Sequence, residues 1–256
     1  MPFYEVDGRQ LFYQREGEGV PVILVHGYLG SSKAHFGKQL ADPTLTEAYE
    51  LIAPDLRGFG QSQLEQYAKW GEKHYTKDLL HDLEVLVDEL GLDKPIIGGY
   101  SIGAALAMEY AKVHPTGGLV LISPRPFIRE SGKSYPFLAK EKRKSRLTIS
   151  SFFWGILKRT QKRSSRKWIE KRAKDQKLMD EFKLLKVPAL IMYAAGDTVT
   201  PKIAFDILKE HLPQPEIAEF EGDHGILHEN PEQFNKVLRE FLDKISNSLL
   251  ESCKNL

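Results

Sequence analysis

The feature that most restricts the fold of this chain is a series of short apolar runs spaced by helical patterns. The runs are "VPVILVHG" (20–27), "YELIAPD" (49–55), "KPIIGGY" (94–100), "GGLVLISP" (117–124) and "VPALIMYAAG" (187–196). Their lengths and the turn residues at their ends suit strands buried on both faces, since a strand with one wet face would alternate apolar with polar residues. Between them, "HYTKDLLHDLEVLVDELGL" (74–92) places Leu79, Leu80, Leu83, Leu86, Val87 and Leu90 at three- and four-residue spacing, with Gly91 as a stop. Residues 101–113 and 201–212 behave likewise. A further strand at about 216–221 leads to "NPEQFNKVLREFLDKISNSLL", where Asn230 can cap a helix that Pro231 opens. The opening "FYEVDGRQLFYQREGEG" reads as an antiparallel hairpin at the sheet edge, turning at Asp7-Gly8. Strands alternating with helices predict an α/β fold with a doubly wound, mostly parallel sheet.

One stretch breaks the rhythm. The net charge is +1, yet residues 126–186 carry 19 Lys/Arg against 6 Asp/Glu, and the remainder carries 17 against 29. A reversal of sign this large predicts a basic, helical cap (126–186) inserted after the strand at 117–124, on a mildly acidic core built from 1–125 and 187–256. A chain of 256 residues can bury a sizeable core in a single domain. No apolar run approaches the ~20 residues that a membrane helix needs. The start "MPFYEVDGRQ" has no basic stretch followed by an apolar block, so a cytoplasmic location is expected. One cysteine, Cys253, excludes an internal disulfide framework, and no Cys/His cluster has zinc-like spacing.

In open α/β sheets, functional groups gather beyond the carboxyl ends of the strands. "GGYSIGA" puts Ser101 there, between Gly99 and Gly103, directly after a strand and before a helix. That context suits a nucleophile held on a sharp turn, with the amide of Ile102 aimed where an oxyanion would form. A serine hydroxyl needs a base, and the base an orienting acid. Of eight histidines, His224 lies in "EFEGDHGILHENP", the loop between the last strand and the last helix, from which it can swing over the sheet; His228 is its rival in the same loop. Asp197 in "YAAGDTVTP" stands just past another strand and is the candidate acid. Asp223 adjoins His224 in sequence, and neighbouring side chains rarely face one another. "HGYLG" (26–30) can present the Tyr28 amide as a second oxyanion donor, with His26 as a hydrogen-bonded structural residue. Asp55 and Arg57 in "APDLRGFGQS" read as loop braces.

Taken in order, "HGYLG", "APDLRGFGQS", "GYSIGA", "YAAGDTVTP" and "GDHGILHENPEQF" make the chain resemble a member of the α/β-hydrolase superfamily from residue 20 to about residue 242. The chain order Ser101, Asp197, His224 is that of the family, and the basic insertion lies where the family places its cap. The resemblance implies an enzyme with a Ser-His-Asp triad. Because haloalkane dehalogenases and epoxide hydrolases of this fold carry aspartate at the elbow, Ser101 points to acyl chemistry and to a carboxylic ester hydrolase. Carbon–carbon hydrolases, carrier-protein ester or thioester hydrolases and the menaquinone-pathway synthase are alternatives, although the arginine expected soon after the serine of the last is absent from "GAALAM". A catalytically silent binding protein would normally lack part of the triad. No metal or organic cofactor is expected. In the insertion, Phe152, Phe153 and Trp154 of "SSFFWGIL" can line an acyl pocket beside "KRTQKRSSRKW". That basic stretch suits an anionic substrate, an acidic carrier protein or an anionic membrane surface. Nothing resembles a nucleic-acid module.

Overall fold

The computed structural model describes residues 2–28, 30–62, 75–127 and 165–254. The middle of the insertion, with Phe152, Phe153 and Trp154, lies outside the described residues, as does the side chain of Cys253. The chain opens with the expected hairpin, β1 (Phe3–Val6) and β2 (Arg9–Glu16). Val6 pairs with Arg9 across a two-residue turn in which Asp7 and Gly8 take φ values of 50° and 75°. Two successive positive φ values give the turn the twist that adjoining strands require, and Asp-Gly tolerates them. Then follow β3 (Val20–Val25), α1 (Ser32–Leu40), α2 (Pro43–Thr46), β4 (Tyr49–Pro54), α3 (Tyr75–Glu89), β5 (Ile96–Tyr100), α4 (Ile102–Val113) and β6 (Gly118–Ile122). After a helical stretch at 165–172, termed α5, come α6 (Gln176–Lys183), β7 (Ala189–Ala194), α7 (Ile203–His211), β8 (Glu216–Phe220), α8 (Ile226–Glu229) and α9 (Pro231–Lys254).

The sheet has eight strands in the order β1-β2-β4-β3-β5-β6-β7-β8. The first two run antiparallel and the other six are mutually parallel. Strands β4, β5 and β6 are buried along their whole length. Successive residues serve opposite faces, as the pleat demands. Ile23, Val25, Ile97, Leu119, Leu121 and Ile191 join one core with α3, α4 and α7. Val22, Leu24, Ile96, Val120, Leu190 and Met192 join the other with α1, α2 and α9. From β3 the chain passes to β4 on one side and later to β5 on the other. The loops after β3 and β5 therefore part, leaving a crevice at the carboxyl ends of these strands.

The described part of the basic insertion packs on this framework. Two parallel neighbours such as β6 and β7 need a crossover that covers one sheet face, and α6 does so. Met179, Phe182 and Leu185 are buried in the same core as α4, with Ile169 of α5 and Phe127 beside them. Lys112 of α4 bonds Glu181 at 2.9 Å and lies over the Phe182 ring. The cations occupy the opposite face, where Lys174, Lys177 and Lys183 are exposed. Charge composition thus marks the solvent side of these helices, and the core reaches into the segment that charge alone separates.

The loop after β4 is tied to α3 by a buried ion pair. Arg57 is 3% exposed, and its Nε donates to Asp82 Oδ2 at 2.5 Å; Asp78 stands 3.7 Å from the same guanidinium. Burial raises the Asp82 carboxyl and Arg57 opposes the rise, so the charged pair persists only with both members present. Replacement of Asp82 by Ala strands a buried guanidinium, and urea unfolding should show a loss of about 3–5 kcal/mol. The double change Arg57→Met with Asp82→Leu should cost less than Asp82→Ala alone.

Candidate active site

Ser101 sits where β5 meets α4, with φ 57° and ψ −109°. A side chain at positive φ costs about 1–3 kcal/mol and persists only where its surroundings enforce it. Here the Ser101 amide donates to the Ile122 carbonyl at 2.8 Å, and its own carbonyl accepts from Arg125 N–H at 3.3 Å. The flanking glycines are required by close approach: a Cβ on Gly99 would strike the Gly103 carbonyl carbon, and one on Gly103 would strike the Val25 carbonyl and stand 2.8 Å from that of His26. Although it occupies the N-cap position of α4, Ser101 makes no side-chain capping bond. An ordinary capping serine would spend its hydroxyl on the helix amides. This hydroxyl is left for other work, and the residue is 7% exposed.

Ile102 opens α4, so its amide is among those that a helix leaves without an intrahelical carbonyl. The turn 26–30 lies opposite, because β3 and β5 are neighbours with Val25 level with Gly99. His26 is fully buried; its Nδ1–H donates to the Gly27 carbonyl at 2.8 Å and its Nε2 accepts the Leu56 amide at 2.9 Å. With both ring nitrogens so used, the imidazole is neutral, and burial lowers its pKa. His26 ties the turn after β3 to the loop after β4 and is unsuited to act as a base. Asp55 braces the same region by accepting the amides of Ser32 at 2.6 Å and Gln61 at 2.7 Å.

The structure brings Asp197 and His224 together: His224 Nδ1–H donates to Asp197 Oδ2 at 2.7 Å. The Asp197 side chain is 1% exposed, and its other oxygen accepts the amides of Val199 and Thr200, each at 2.7 Å. Asp223, the sequence neighbour, faces away. Its Oδ1 accepts the Thr198 amide at 2.6 Å and the His224 amide at 2.7 Å, so it pins the two loops together and leaves the imidazole to Asp197. His224 is carried past β7 towards the elbow, since its carbonyl accepts from Ser123 Oγ–H at 2.9 Å, where Ser123 follows β6. The ring of Tyr100, the residue before Ser101, lies 5.0 Å from that of His224. His228 stands further round, 5.8 Å from His35, with its carbonyl accepting from Lys38; burial lowers its pKa.

Ser123 and Tyr100 are contributors that the sequence does not announce. Ser123 is fully buried with φ 41°, yet no motif distinguishes the serine of "LISP". Tyr100 reads as strand residue and becomes a wall for the imidazole.

A family model described as alpha/beta hydrolase fold matches residues 20–132. Over that stretch the chain is similar to the α/β-hydrolase superfamily. It is 25% identical to the AB hydrolase superfamily protein YisY of Bacillus subtilis, across 90% of this chain and 94% of that one. It is 34% identical over 116 residues to the proline iminopeptidase of Neisseria meningitidis, which spans 44% of this chain and 36% of the relative. Among solved structures, an esterase from Thermogutta terrifontis superposes with a TM-score of 0.70 at 22% identity, covering 95% of this chain and 97% of its own. No helix among the described residues is long and apolar enough to cross a membrane.

Because the unfolded chain protonates His26 near pH 6.5 and the folded chain resists it, the His26 contribution to stability is complete above that pH and is lost as pH falls towards the lowered folded value. The gap in Tm between wild type and His26→Asn should therefore be widest above about pH 7 and shrink towards pH 5. A constant gap would show that His26 is not buried as the neutral form.

Proposed function

We propose that the chain is a serine hydrolase that cleaves carboxylic esters through an acyl-enzyme, with Ser101 as nucleophile, His224 as base and Asp197 as the orienting acid. The observation that carries this reading is the Asp197–His224 pair at 2.7 Å, its loop anchored through Ser123 beside the strained Ser101 elbow. With Nδ1–H held by Asp197, His224 presents Nε2 as the acceptor. It takes the Ser101 proton as Oγ attacks the ester carbonyl. The carbonyl oxygen becomes an oxyanion facing the amides of Ile102 and Tyr28, which are positioned before charge develops and cost no reorganisation when it does. Collapse expels the alcohol, which leaves with the proton from His224. Water, deprotonated by the same imidazole, then hydrolyses the acyl-enzyme and restores Ser101. The buried Asp197 carboxylate stabilises the imidazolium formed twice in the cycle.

A panel of p-nitrophenyl esters of increasing chain length should reveal activity that Ser101→Ala abolishes without changing Tm. A fluorophosphonate should label Ser101 alone, and labelling at another serine would end the assignment. Asp197→Asn should reduce kcat by about 10⁴-fold, because the amide favours the wrong tautomer, whereas Asp223→Asn should keep most of it. His224→Ala should be as inactive as Ser101→Ala, and His228→Ala should not.

The exposed cations of the insertion, Arg166, Lys167, Lys171, Lys174 and Lys177, favour an ester that itself carries negative charge. Replacing Arg166 and Lys167 by Ser should raise KM for a dicarboxylate monoester several-fold at low ionic strength. The effect should fade as salt shortens the Debye length to about 8 Å and below, with a neutral ester unaffected. Equal behaviour of the two esters would remove charge from substrate choice.

A further inference from the structure

His35 lies on α1, outside the three residues of the proposed triad, yet it meets the turn after β3 at both ends. The Gly27 amide donates to His35 Nδ1 at 3.1 Å. At the other end, the space that a Cβ on Gly30 would fill is occupied by the His35 imidazole, 2.7 Å away at its Nε2. A backbone N–H can only donate, so Nδ1 must be the acceptor and the ring carries its proton on Nε2. The imidazole is thus a neutral shim between Gly27 and Gly30, beside the Tyr28 amide.

The same ring reaches the other half of the site. It stands edge-on to Tyr100 of β5 at 4.8 Å, and Tyr100 in turn packs on His224. Among the described residues, the titratable groups facing it include His26 of the turn at 6.1 Å, Tyr100, and His228 of α8 at 5.8 Å. Charged groups on the elements packed here include Lys38, one turn further along α1 with its Nζ on the His228 carbonyl, and Glu229, the neighbour of His228. Gln39, next on α1, donates to the Leu227 carbonyl at 3.4 Å and to Asn235 at 2.8 Å. One helix therefore supports the oxyanion turn and the loop that carries the base.

We propose that His35 is a positioning residue for oxyanion stabilisation: as the neutral imidazole it accepts the Gly27 amide and fixes the turn that presents the Tyr28 amide. This rests on the serine-hydrolase reading of the site. A proton on Nδ1 converts the acceptor to a donor, breaks the bond to Gly27 and releases the turn. Because the oxyanion exists only after attack, the effect falls on kcat and leaves ground-state binding alone.

The test compares His35→Phe, which keeps a ring without an acceptor, with His35→Asn, whose side-chain oxygen can take the place of Nδ1 and does not titrate. If the Phe variant does not fold, His35→Leu replaces it. His35→Phe should lower kcat on a p-nitrophenyl ester about tenfold or more with KM within threefold, and His35→Asn should recover kcat to within threefold of wild type. Amide hydrogen exchange at Gly27, read without substrate, should be faster in His35→Phe and near wild type in His35→Asn. In wild type, Gly27 exchange relative to His35→Asn should rise as pH falls and His35 is protonated. The proposal is overturned if His35→Phe keeps kcat within twofold, if His35→Asn is as impaired as His35→Phe, or if Gly27 exchange is the same in all three proteins. Failure of the serine-hydrolase reading would look different, with Ser101 unlabelled by the phosphonate and Ser101→Ala active. The Gly27 exchange rates would still report on the shim.

Discussion

At Gly103 the first turn of α4 comes so near β3 that no side chain fits between them, and the carbonyls of Val25 and His26 fill the space. That approach joins the two loops that leave the central strands in opposite directions. It sets the serine elbow after β5 against the turn after β3, so that amides from both can face one point. The Ser101 backbone takes its positive φ because the strand behind it and the helix in front leave no other path for the chain. Substituting at Gly99 or Gly103 would therefore disturb two elements at once, and the strain at Ser101 would relax without any change to the hydroxyl itself.

The Asp197–His224 pair is held in another way. Loops after parallel strands have no ladder partners, and their amides must find acceptors elsewhere. Here carboxylates supply them. Asp197 receives two amides of its own loop and the imidazole, Asp223 receives one amide from each loop, and Glu229 receives the Asp223 amide at 2.8 Å. These charge-assisted bonds order the ends of β7 and β8 relative to one another. Ser123 then draws the assembled pair across towards β5. Orientation comes from buried side chains bonding backbone groups, and it is in place before any substrate arrives.

Helix α1 links the two arrangements. His35 supports the turn after β3, and Lys38 and Gln39 hold carbonyls of the loop after β8. On the opposite sheet face, α6 of the basic insertion closes the core over β6 and β7 while its cations face solvent. A segment can thus differ sharply in charge from the rest of the chain and still contribute to the same apolar layer, because an amphipathic helix separates the two properties by face.

The sequence by itself determined the layers, the succession of strands and helices along the chain and which residue types stand at the strand ends. Short apolar runs bounded by turn residues suit strands wetted on neither face, Asp7-Gly8 can turn with two positive φ values, and flanking glycines suit a sharp serine turn between strand and helix. The helices α1, α2 and α8 are too short or too mixed in polarity for their periodicity to stand out, and charge placed the edge of the insertion at Lys186 because it reports solvent faces only. What the tertiary structure alone decided was which groups meet. Asp197 and Asp223 are equivalent by residue type, and the imidazole goes to the former because strand geometry turns the latter's carboxylate back onto the loop amides. Ser123 and His35 bond a carbonyl and an amide 101 and 8 residues away. Such pairings leave no periodic trace in a sequence, since they depend on where the folded sheet brings two loop ends together.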